Sequence, residues 1–387
     1  NIFFQKILYL IFYKLIYKKL IGKKIIYIII WNKQKGHLAA EKLQKIIDLI
    51  IDDNKIDVYS TELINAKVLA KNAKVFRVKM PFKHFNVYIV DTTEGARIAS
   101  EPEIVGDEFL NLNLEASMSA ARAMKNILSF ERPIVFLHIL RASTGYMLHK
   151  AFAASSMQFY EAFVRVKYVK ESYRNHTRRE IKVVYKKFEN IPKGDVTLIA
   201  ADTIATGSSI EVAIRTAQEE LLKNDVTIEE LVLYGFISKK GLEKVYKVSQ
   251  DLGIKSFYAF AMQDITPLAY NGYDMPLYGP DESLWSREKK FKLLGSIVDV
   301  STLERMLLEY APGMDQPGDW SERQKMLFNG YGFEQGDIAS HLEKSLLLLE
   351  KLRKLVKKAD WYGNWVEKIF EKREQKLIIA LQNMHVR

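Results

Sequence analysis

The sequence contains no cysteine, and this absence removes several kinds of chemistry at once. Disulfides, thiolate nucleophiles and cysteine-ligated zinc or iron–sulfur sites are excluded. A chain without cysteine fits a reducing interior, so we expect a cytoplasmic protein. The H-E-x-x-H zinc motif, the G-x-x-x-x-G-K-S/T phosphate loop and the G-x-S-x-G nucleophile elbow are also missing. The seven histidines are scattered without ligand spacing, and we therefore expect no protein-bound metal.

The overall composition is that of a folded protein with a basic surface. The 387 residues are 48% hydrophobic and 27% charged, which argues against long disordered spans. A formal net charge of +11 favours anionic partners, whether phosphorylated metabolites, nucleic acid or a membrane surface. The length predicts one large α/β domain with additions.

Residues 1 to 31 lack acidic side chains and combine dense Ile, Leu, Phe and Tyr with lysines. The lysines break the apolar runs into pieces far shorter than the roughly 20 residues that span a bilayer, which argues against a transmembrane helix. Two alternatives remain for this segment. One is a basic amphipathic helix on a membrane surface. The other, which we favour, is an arm that packs on this chain or on a partner subunit.

Hydrophobic periodicity predicts an α/β fold with a doubly wound, mainly parallel sheet over residues 112 to 287. The predicted strands there are residues 133 to 140, 159 to 169, 181 to 188, 196 to 201, 231 to 237 and 256 to 262, and the predicted helices are residues 112 to 128, 146 to 154, 208 to 222 and 242 to 252. Residues 1 to 111 are expected to form an N-terminal extension with a helix over 37 to 53 and strands over 74 to 80 and 86 to 91. Residues 288 to 387 are expected to form a helical C-terminal region, with helices over 300 to 310, 334 to 358 and 361 to 381.

The stretch from Val196 to Leu222 has the strongest chemical signal. An apolar strand is followed by a small, polar loop and then by apolar residues at helical spacing. Ser208 and Glu211 have the spacing of a capping box, which puts the helix start at the end of the loop. A helix N-terminus with free amides favours an anion, and the hydroxyls of the loop fit a phosphate. Asp202 lies at the carboxyl end of the strand, where open α/β sheets bind ligands, and it can accept hydrogen bonds from sugar hydroxyls.

This loop resembles the phosphoribosyl-pyrophosphate (PRPP) loop of type I phosphoribosyltransferases, and more narrowly the D-P-M-L-A-T-G-G-S form of uracil phosphoribosyltransferases. It runs Asp202, Thr203, Ile204, Ala205, Thr206, Gly207, Ser208, Ser209, so the proline and the second glycine of the family are missing. Ile139-Leu140-Arg141-Ala142 is similar to the I-L-R-A-G segment, whose loop contacts pyrophosphate. Residues 184 to 188, VYKKF, are similar to Y-Y-x-K-L, and counting back from them places Arg174 on the arginine of the family's flexible loop.

A fourth segment resembles the family's base-binding G-Y-I-V-P, which holds uracil through backbone groups. Its residues here are Asn271, Gly272, Tyr273, Asp274, Met275 and Pro276, and Asp264 matches an upstream aspartate of that region. After Pro276 the family's glycine-rich G-L-G-D-A-G-D run is replaced by LYGPDES, where Asp281 takes the acidic role if the alignment shifts by one residue. The resemblance covers residues 112 to 287.

The resemblance implies transfer of the phosphoribosyl group from PRPP to a nucleobase, uracil first, with Mg2+ carried by PRPP and a homodimer as the assembly. It implies that Asp202, Arg141 and Arg174 are catalytic, that the loop from Asp202 to Ser209 together with Arg141 and Ala142 binds PRPP, and that Gly272, Tyr273, Asp274, Met275, Asp264 and Asp281 bind the base. A non-catalytic PRPP- or nucleotide-binding regulator and a transferase for another base, hypoxanthine or guanine included, are the alternatives. An RNA-binding role has no aromatic-and-basic signature to support it.

Overall fold

The computed structural model describes residues 45, 48, 49, 61 to 63, 73 to 79, 84 to 170, 179 to 296, 313 to 359 and 362 to 385. The chain divides into two compact units, Asn1–Leu49 and Ile50–Arg387, and the features below belong to the second. The N-terminal arm, most of the predicted helix over 37 to 53, the loop with Arg174 and the predicted helix over 300 to 310 lie outside the described residues.

One large sheet organises the second unit. Its strands are β1 Thr61–Leu63, β2 Ala73–Val78, β3 Phe85–Thr92, β4 Ile134–Leu140, β5 Tyr160–Lys170, β6 Arg179–Phe188, β7 Gly194–Ala201, β8 Val226–Ser238 and β9 Ser256–Thr266. Within the described ranges these nine strands follow the order β1-β2-β3-β9-β8-β7-β4-β5-β6. The strands from β3 to β5 in this order are parallel to one another, whereas β1, β2 and β6 are antiparallel to their neighbours. The predicted α/β fold with a mainly parallel sheet is therefore confirmed.

Eight helices of the described residues accompany the sheet. They are α1 Thr93–Ser100, α2 Gly106–Ile127, α3 Leu148–Ala154, α4 Ser208–Leu222, α5 Lys239–Asp251, α6 Glu282–Glu288, α7 Ile338–Val356 and α8 Asn364–His385. The chain leaves β4 towards β5, but it leaves β7 in the other direction, towards β8 and β9. Because crossovers between parallel strands are right-handed, α3 lies on one face of the sheet and α4 and α5 lie on the other. The reversal opens a crevice between the carboxyl ends of β4 and β7, the usual ligand site of such sheets.

The sheet and its helices begin earlier in the chain than predicted. β2 and β3 are strands of the main sheet, and the predicted boundary between residues 111 and 112 falls inside α2. Helix α1 was not predicted, because its eight residues, TEGARIAS, contain too few large apolar side chains to show a helical period. Its N-cap is local: the hydroxyl of Thr92 accepts a hydrogen bond from the Gly95 amide.

The C-terminal region combines two helices with an irregular segment. Helices α7 and α8 share a buried core made of Met314, Leu342, Leu349, Leu352, Val356, Val366, Phe370 and Leu377. The fully buried Arg373 of α8 pairs with Glu103, so the helices are tied to the connection between α1 and α2. The segment from Gly313 to Glu334 is not helical and ends in a hairpin of β12 Leu327–Phe328 and β13 Phe333–Glu334. A second small hairpin pairs β10 Gly279–Pro280 with β11 Leu293–Leu294.

No helix in the described residues combines the length and the apolar character that crossing a membrane requires. Within the same residues, no group of three or more His, Asp or Glu side chains is arranged to hold a metal ion.

Candidate functional site

The loop after β7 first continues alongside β8 and only then turns into α4. The amide of Asp202 donates to the Tyr234 carbonyl at 2.9 Å, and the amide of Ile204 donates to the Phe236 carbonyl at 2.8 Å. Gly235, between these two acceptors, makes the close approach possible, since a Cβ there would lie 2.1 Å from the carbonyl oxygen of Asp202. The backbone thus fixes the position of Asp202 at the mouth of the crevice.

Asp202 is a buried carboxyl group with a strongly altered acidity. It is 7% exposed, and burial raises its pKa to about 7, although a hydrogen bond from the Thr203 amide acts in the opposite direction. A buried carboxyl group poised near neutral pH at the end of a parallel strand is typical of a functional position. It is suited to accept hydrogen bonds from ligand hydroxyls.

Helix α4 starts where predicted, but the predicted capping box is wrong. The N-cap is Gly207, which has a φ of 76° and makes no side-chain cap hydrogen bond. Glu211 turns instead to Lys244, whose Nζ lies 2.9 Å from its Oε2. The Ser208 hydroxyl accepts a hydrogen bond of 3.0 Å from the same ammonium group. A capping box needs a non-helical Ser with a β-region backbone, and here the left-handed glycine takes that position.

Lys244 therefore brings a positive charge to the hydroxyl-rich loop. It belongs to α5, the helix after β8, and its side chain is 37% exposed. Thr206 donates its hydroxyl to Ser208 at 3.2 Å, and Tyr168 from β5 shares a 3.1 Å hydrogen bond with Ser209. Hydroxyls, a helix N-terminus and an ammonium group together suit a phosphate.

The loop after β4 approaches the loop after β7. The Leu140–Arg141 peptide bond is cis, and Ser143–Tyr146 form a short 3-10 helix. The hydroxyl of Tyr146 shares a 2.5 Å hydrogen bond with the Thr203 hydroxyl. The segment with Arg141 and Ala142 and the segment with Asp202 are thereby linked, as expected for one site at the ends of neighbouring strands.

Arg141 forms an ion pair with the C-terminal segment. Its Nη1 donates to Oε2 of Glu334, in the hairpin of the C-terminal segment, at 2.7 Å. Arg165 of β5 approaches the other carboxylate oxygen of Glu334 at 3.5 Å. The Asn329 side-chain amide also donates to Glu334, and these contacts, led by Arg141, lower the pKa of the Glu334 carboxyl.

The predicted base-binding segment begins with a turn that the Asn271 side chain stabilises. Gly272 has a φ of 83°, and the side-chain oxygen of Asn271 accepts hydrogen bonds from the amides of Tyr273 and Asp274. Burial raises the pKa of Asp274, whose carboxyl accepts a 2.6 Å hydrogen bond from the Asn271 amide group. The Met275 amide, one of the backbone groups assigned to the base, donates to the Asp315 carboxylate.

Two of the residues assigned to the base, Asp281 and Asp264, form hydrogen bonds within the chain. Asp281 is the N-cap of α6, accepting from the Leu284 amide, and it also accepts from the Tyr270 amide at 2.8 Å. In the structure the Asp281 carboxylate therefore acts as a helix cap, and its contact with the base stays a prediction. Asp264 is fully buried and accepts a 2.6 Å hydrogen bond from the Tyr278 hydroxyl.

The segment from Gly313 to Glu334 crosses this end of the sheet, which the sequence did not predict. Asp315, whose pKa burial raises to about 7, receives the amides of Met275 and Gly318, and the Pro317 carbonyl lies 3.4 Å from the Thr203 hydroxyl. Trp320 is buried with its ring stacked on Tyr146 at 4.2 Å. The segment thus connects the predicted base-binding turn with the loop after β7.

Comparison with known proteins gives no family assignment. No protein-family profile and no curated protein matches the sequence. Solved structures that resemble the chain include a hypoxanthine phosphoribosyltransferase from Staphylococcus aureus, at 19% identity over 44% of this chain and 82% of the other, with a TM-score of 0.26. Adenine phosphoribosyltransferases from Leishmania donovani and Trypanosoma brucei are each 14% identical, cover 48% and 66% of this chain and 85% and 91% of their own, and give TM-scores of 0.29 and 0.28. Because TM-scores this low carry no functional argument, a proposed function has to rest on the residues of this chain.

Proposed function

We propose that this protein transfers the phosphoribosyl group of magnesium-bound PRPP to a ring nitrogen of a nucleobase, releasing pyrophosphate. The observation that carries the proposal is the end of β7, where the buried Asp202 carboxyl leads directly into a hydroxyl-rich helix start contacted by Lys244. The carboxylate suits the ribose hydroxyls, and the loop suits the 5′-phosphate. Arg141, at the end of the neighbouring strand, suits the leaving pyrophosphate.

In this reaction the bond from the anomeric carbon to pyrophosphate breaks, a bond from that carbon to the base nitrogen forms, and the nitrogen loses its proton. Magnesium enters as part of the substrate. The transition state resembles an oxocarbenium ion, so the protein acts through positioning and charge rather than through a covalent intermediate. Asp202 fixes the sugar, Thr206 to Ser209 fix the phosphate, and Arg141 and Arg174 neutralise the leaving group.

Uracil is the first base to test because residues 271 to 276 resemble the uracil-binding segment. The structure gives this segment partners of its own, since the Met275 amide is used by Asp315. A base held by a different set of groups is therefore the main alternative, and hypoxanthine and guanine belong in the same screen.

The test is calorimetry with PRPP and Mg2+, followed by a pyrophosphate-release assay with each base. We expect binding of PRPP and release with one base well above the rate without a base. Binding without release from any base would favour a non-catalytic PRPP-binding regulator. Absence of binding would contradict both functions.

Replacing Lys244 with glutamine is expected to raise KM for PRPP about 10-fold or more, with a much smaller change in kcat. A hydrogen bond from a charged group is worth about 1.5–3 kcal/mol, and a phosphate held equally in the ground and transition states affects KM rather than kcat. Steady-state kinetics with PRPP as the varied substrate measure this change.

Lys247→Gln is the matched control, because Lys247 is an exposed lysine on the same helix. It removes the same charge without the contact to Ser208, and we expect a KM close to that of the wild type. Equal KM values for the two variants would place the phosphate elsewhere.

A further inference from the structure

Two guanidinium groups from adjacent parallel strands converge on one carboxylate at the mouth of the crevice. Arg141 follows β4, and Arg165 lies on β5 directly opposite Leu140. Each arginine approaches a different oxygen of Glu334, at 2.7 Å from Arg141 and 3.5 Å from Arg165. Nothing in the sequence motifs points to Arg165 or to Glu334, which are 24 and 193 positions from Arg141 along the chain.

The charges at this point are not balanced. Among the described residues, one carboxylate faces two guanidinium groups, so this group of three side chains has a net positive charge. A pyrophosphate group carries several negative charges and more acceptor oxygens than a carboxylate, and paired arginines match such oxygens in geometry as well as charge. The pair is therefore a better site for pyrophosphate than for the single carboxylate that occupies it.

The Glu334 carboxylate belongs to the hairpin of β12 and β13, which packs against the edge strand β6. The hydroxyl of Tyr331 donates to the Val184 carbonyl at 2.9 Å, and the ring of Tyr331 packs on Tyr185 with centroids 5.2 Å apart. Asn329 accepts a 2.9 Å hydrogen bond from Arg165 at its carbonyl and holds Glu334 with its side chain. The hairpin thus contacts Arg141 and also Tyr185, which belongs to the VYKKF segment at residues 184 to 188.

The ion pair itself is partly open to solvent. The Arg141 and Glu334 side chains are 35% and 33% exposed, and the hairpin residues Tyr331 and Phe333 are 76% and 70% exposed. Exposed ion pairs contribute little stability and exchange readily with dissolved ions. An anion from solution can therefore reach Arg141 and compete with Glu334, although the Arg165 side chain is only 12% exposed.

We propose that Arg141 and Arg165 together form the subsite for the pyrophosphate group of the substrate, and that Glu334 is an internal competitor for it. The proposal rests on the phosphoribosyl-transfer function for the identity of the ligand. Substrate binding then exchanges the Glu334 carboxylate for pyrophosphate oxygens, and Arg165 becomes a second arginine on the leaving group. Glu334 sets the affinity by occupying the site when substrate is absent.

The test is the binding of inorganic pyrophosphate with Mg2+ to the full-length protein, measured by calorimetry. Glu334→Gln keeps the size of the side chain but removes its charge, and we expect it to lower Kd at least 5-fold. Arg165→Gln is expected to raise Kd at least 10-fold. The opposite signs are the signature of a competitor, since loss of a merely structural ion pair would leave Kd unchanged or raise it in both variants.

Glu350→Gln and Lys182→Gln are the controls, because each removes one charge from an exposed ion pair elsewhere. Both are expected to leave Kd for pyrophosphate unchanged. If Glu334→Gln does not tighten binding although its circular dichroism and melting temperature are those of the wild type, Glu334 is not a competitor. A misfolded Glu334→Gln is replaced by Glu334→Ala, for which the same decrease in Kd is expected.

The outcomes separate this proposal from the function on which it rests. Transfer to a base by the wild type, with no effect of Glu334→Gln on Kd, would overturn the competitor and leave the transferase. Tighter pyrophosphate binding by Glu334→Gln, with no transfer to any base, would leave the subsite and overturn the transferase.

Discussion

Replacing Asp202 with asparagine is expected to reduce kcat/KM for phosphoribosyl transfer about 100-fold or more, while the protein becomes no less stable. The carboxylate is proposed to accept two ribose hydroxyls, and each hydrogen bond to a charged group is worth about 1.5–3 kcal/mol. The amide of asparagine offers one acceptor oxygen without the charge. The substitution weakens binding of the transition state more than binding of the substrate, because the sugar gains positive charge in the transition state.

The effect on stability follows from the raised pKa of Asp202. Its pKa is about 7 in the folded protein, whereas an unperturbed aspartate has about 3.9. The folded state therefore binds this proton more tightly, so the contribution of Asp202 to stability is fully present below about pH 4 and is lost as pH rises through about 7. Asparagine does not titrate, so Asp202→Asn should unfold at a higher denaturant concentration than the wild type at pH 8. The expected gain is on the order of 2–4 kcal/mol.

Asp195→Asn is the matched control for both measurements. Asp195 is exposed and lies at the amino end of the same strand, away from the crevice. We expect it to leave transfer and the denaturant midpoint at pH 8 unchanged. Full transfer activity in Asp202→Asn would remove the carboxylate from the mechanism. A loss of activity accompanied by a loss of stability at pH 8 would indicate a structural role instead.

The part of the site that could be predicted is the part built from local sequence. The strand, loop and helix from residue 194 to 222 are one continuous stretch, and the apolar pattern is sufficient to place the loop at a strand end. The capping box was wrong because Gly207 takes up a left-handed backbone conformation, which the spacing of Ser208 and Glu211 does not reveal. The helix-capping role of Asp281 could have been predicted from the local sequence, because an aspartate before a short polar helix is a typical N-cap.

The remainder of the site depends on contacts between distant parts of the chain. Lys244 contacts Ser208, which is 36 positions away in the sequence, and Glu334 contacts Arg141, which is 193 positions away. Such pairs are set by the order of strands in the sheet and by the course of the C-terminal segment, and neither leaves a periodic signal in the sequence. For the same reason no site residue was predicted between Gly313 and Glu334, although this segment crosses the carboxyl ends of the strands.

The second large effect is expected at Arg323, which holds this segment in place. Its guanidinium group is fully buried and donates to the carbonyls of Ile98 at 2.8 Å, Glu101 at 3.0 Å and Ile104 at 3.0 Å. Ile98 and Glu101 belong to the C-terminal end of α1, where carbonyls lack intrahelical partners and a positive charge is favourable. The guanidinium carbon also lies 4.6 Å from the centre of the Phe109 ring.

Arg323→Met is expected to lower the free energy of unfolding by about 3–5 kcal/mol, because it leaves buried carbonyls without donors at about 1–3 kcal/mol each and relaxation recovers part of this. Methionine fills a similar volume, so the loss reports on hydrogen bonding and charge rather than on a cavity. Urea unfolding measures this free energy.

Lys325→Met is the control. Lys325 lies two positions further along the chain, in an exposed ion pair with Asp107, and its loss should change the free energy of unfolding by less than about 1 kcal/mol. Equal effects of the two variants would mean that α1 does not depend on Arg323 for its C-terminal end. A large effect confined to Arg323→Met, together with a lower kcat/KM, would tie the C-terminal segment to the stability of the sheet and to the geometry of the crevice, because Trp320, three positions earlier, stacks on the tyrosine that contacts Thr203.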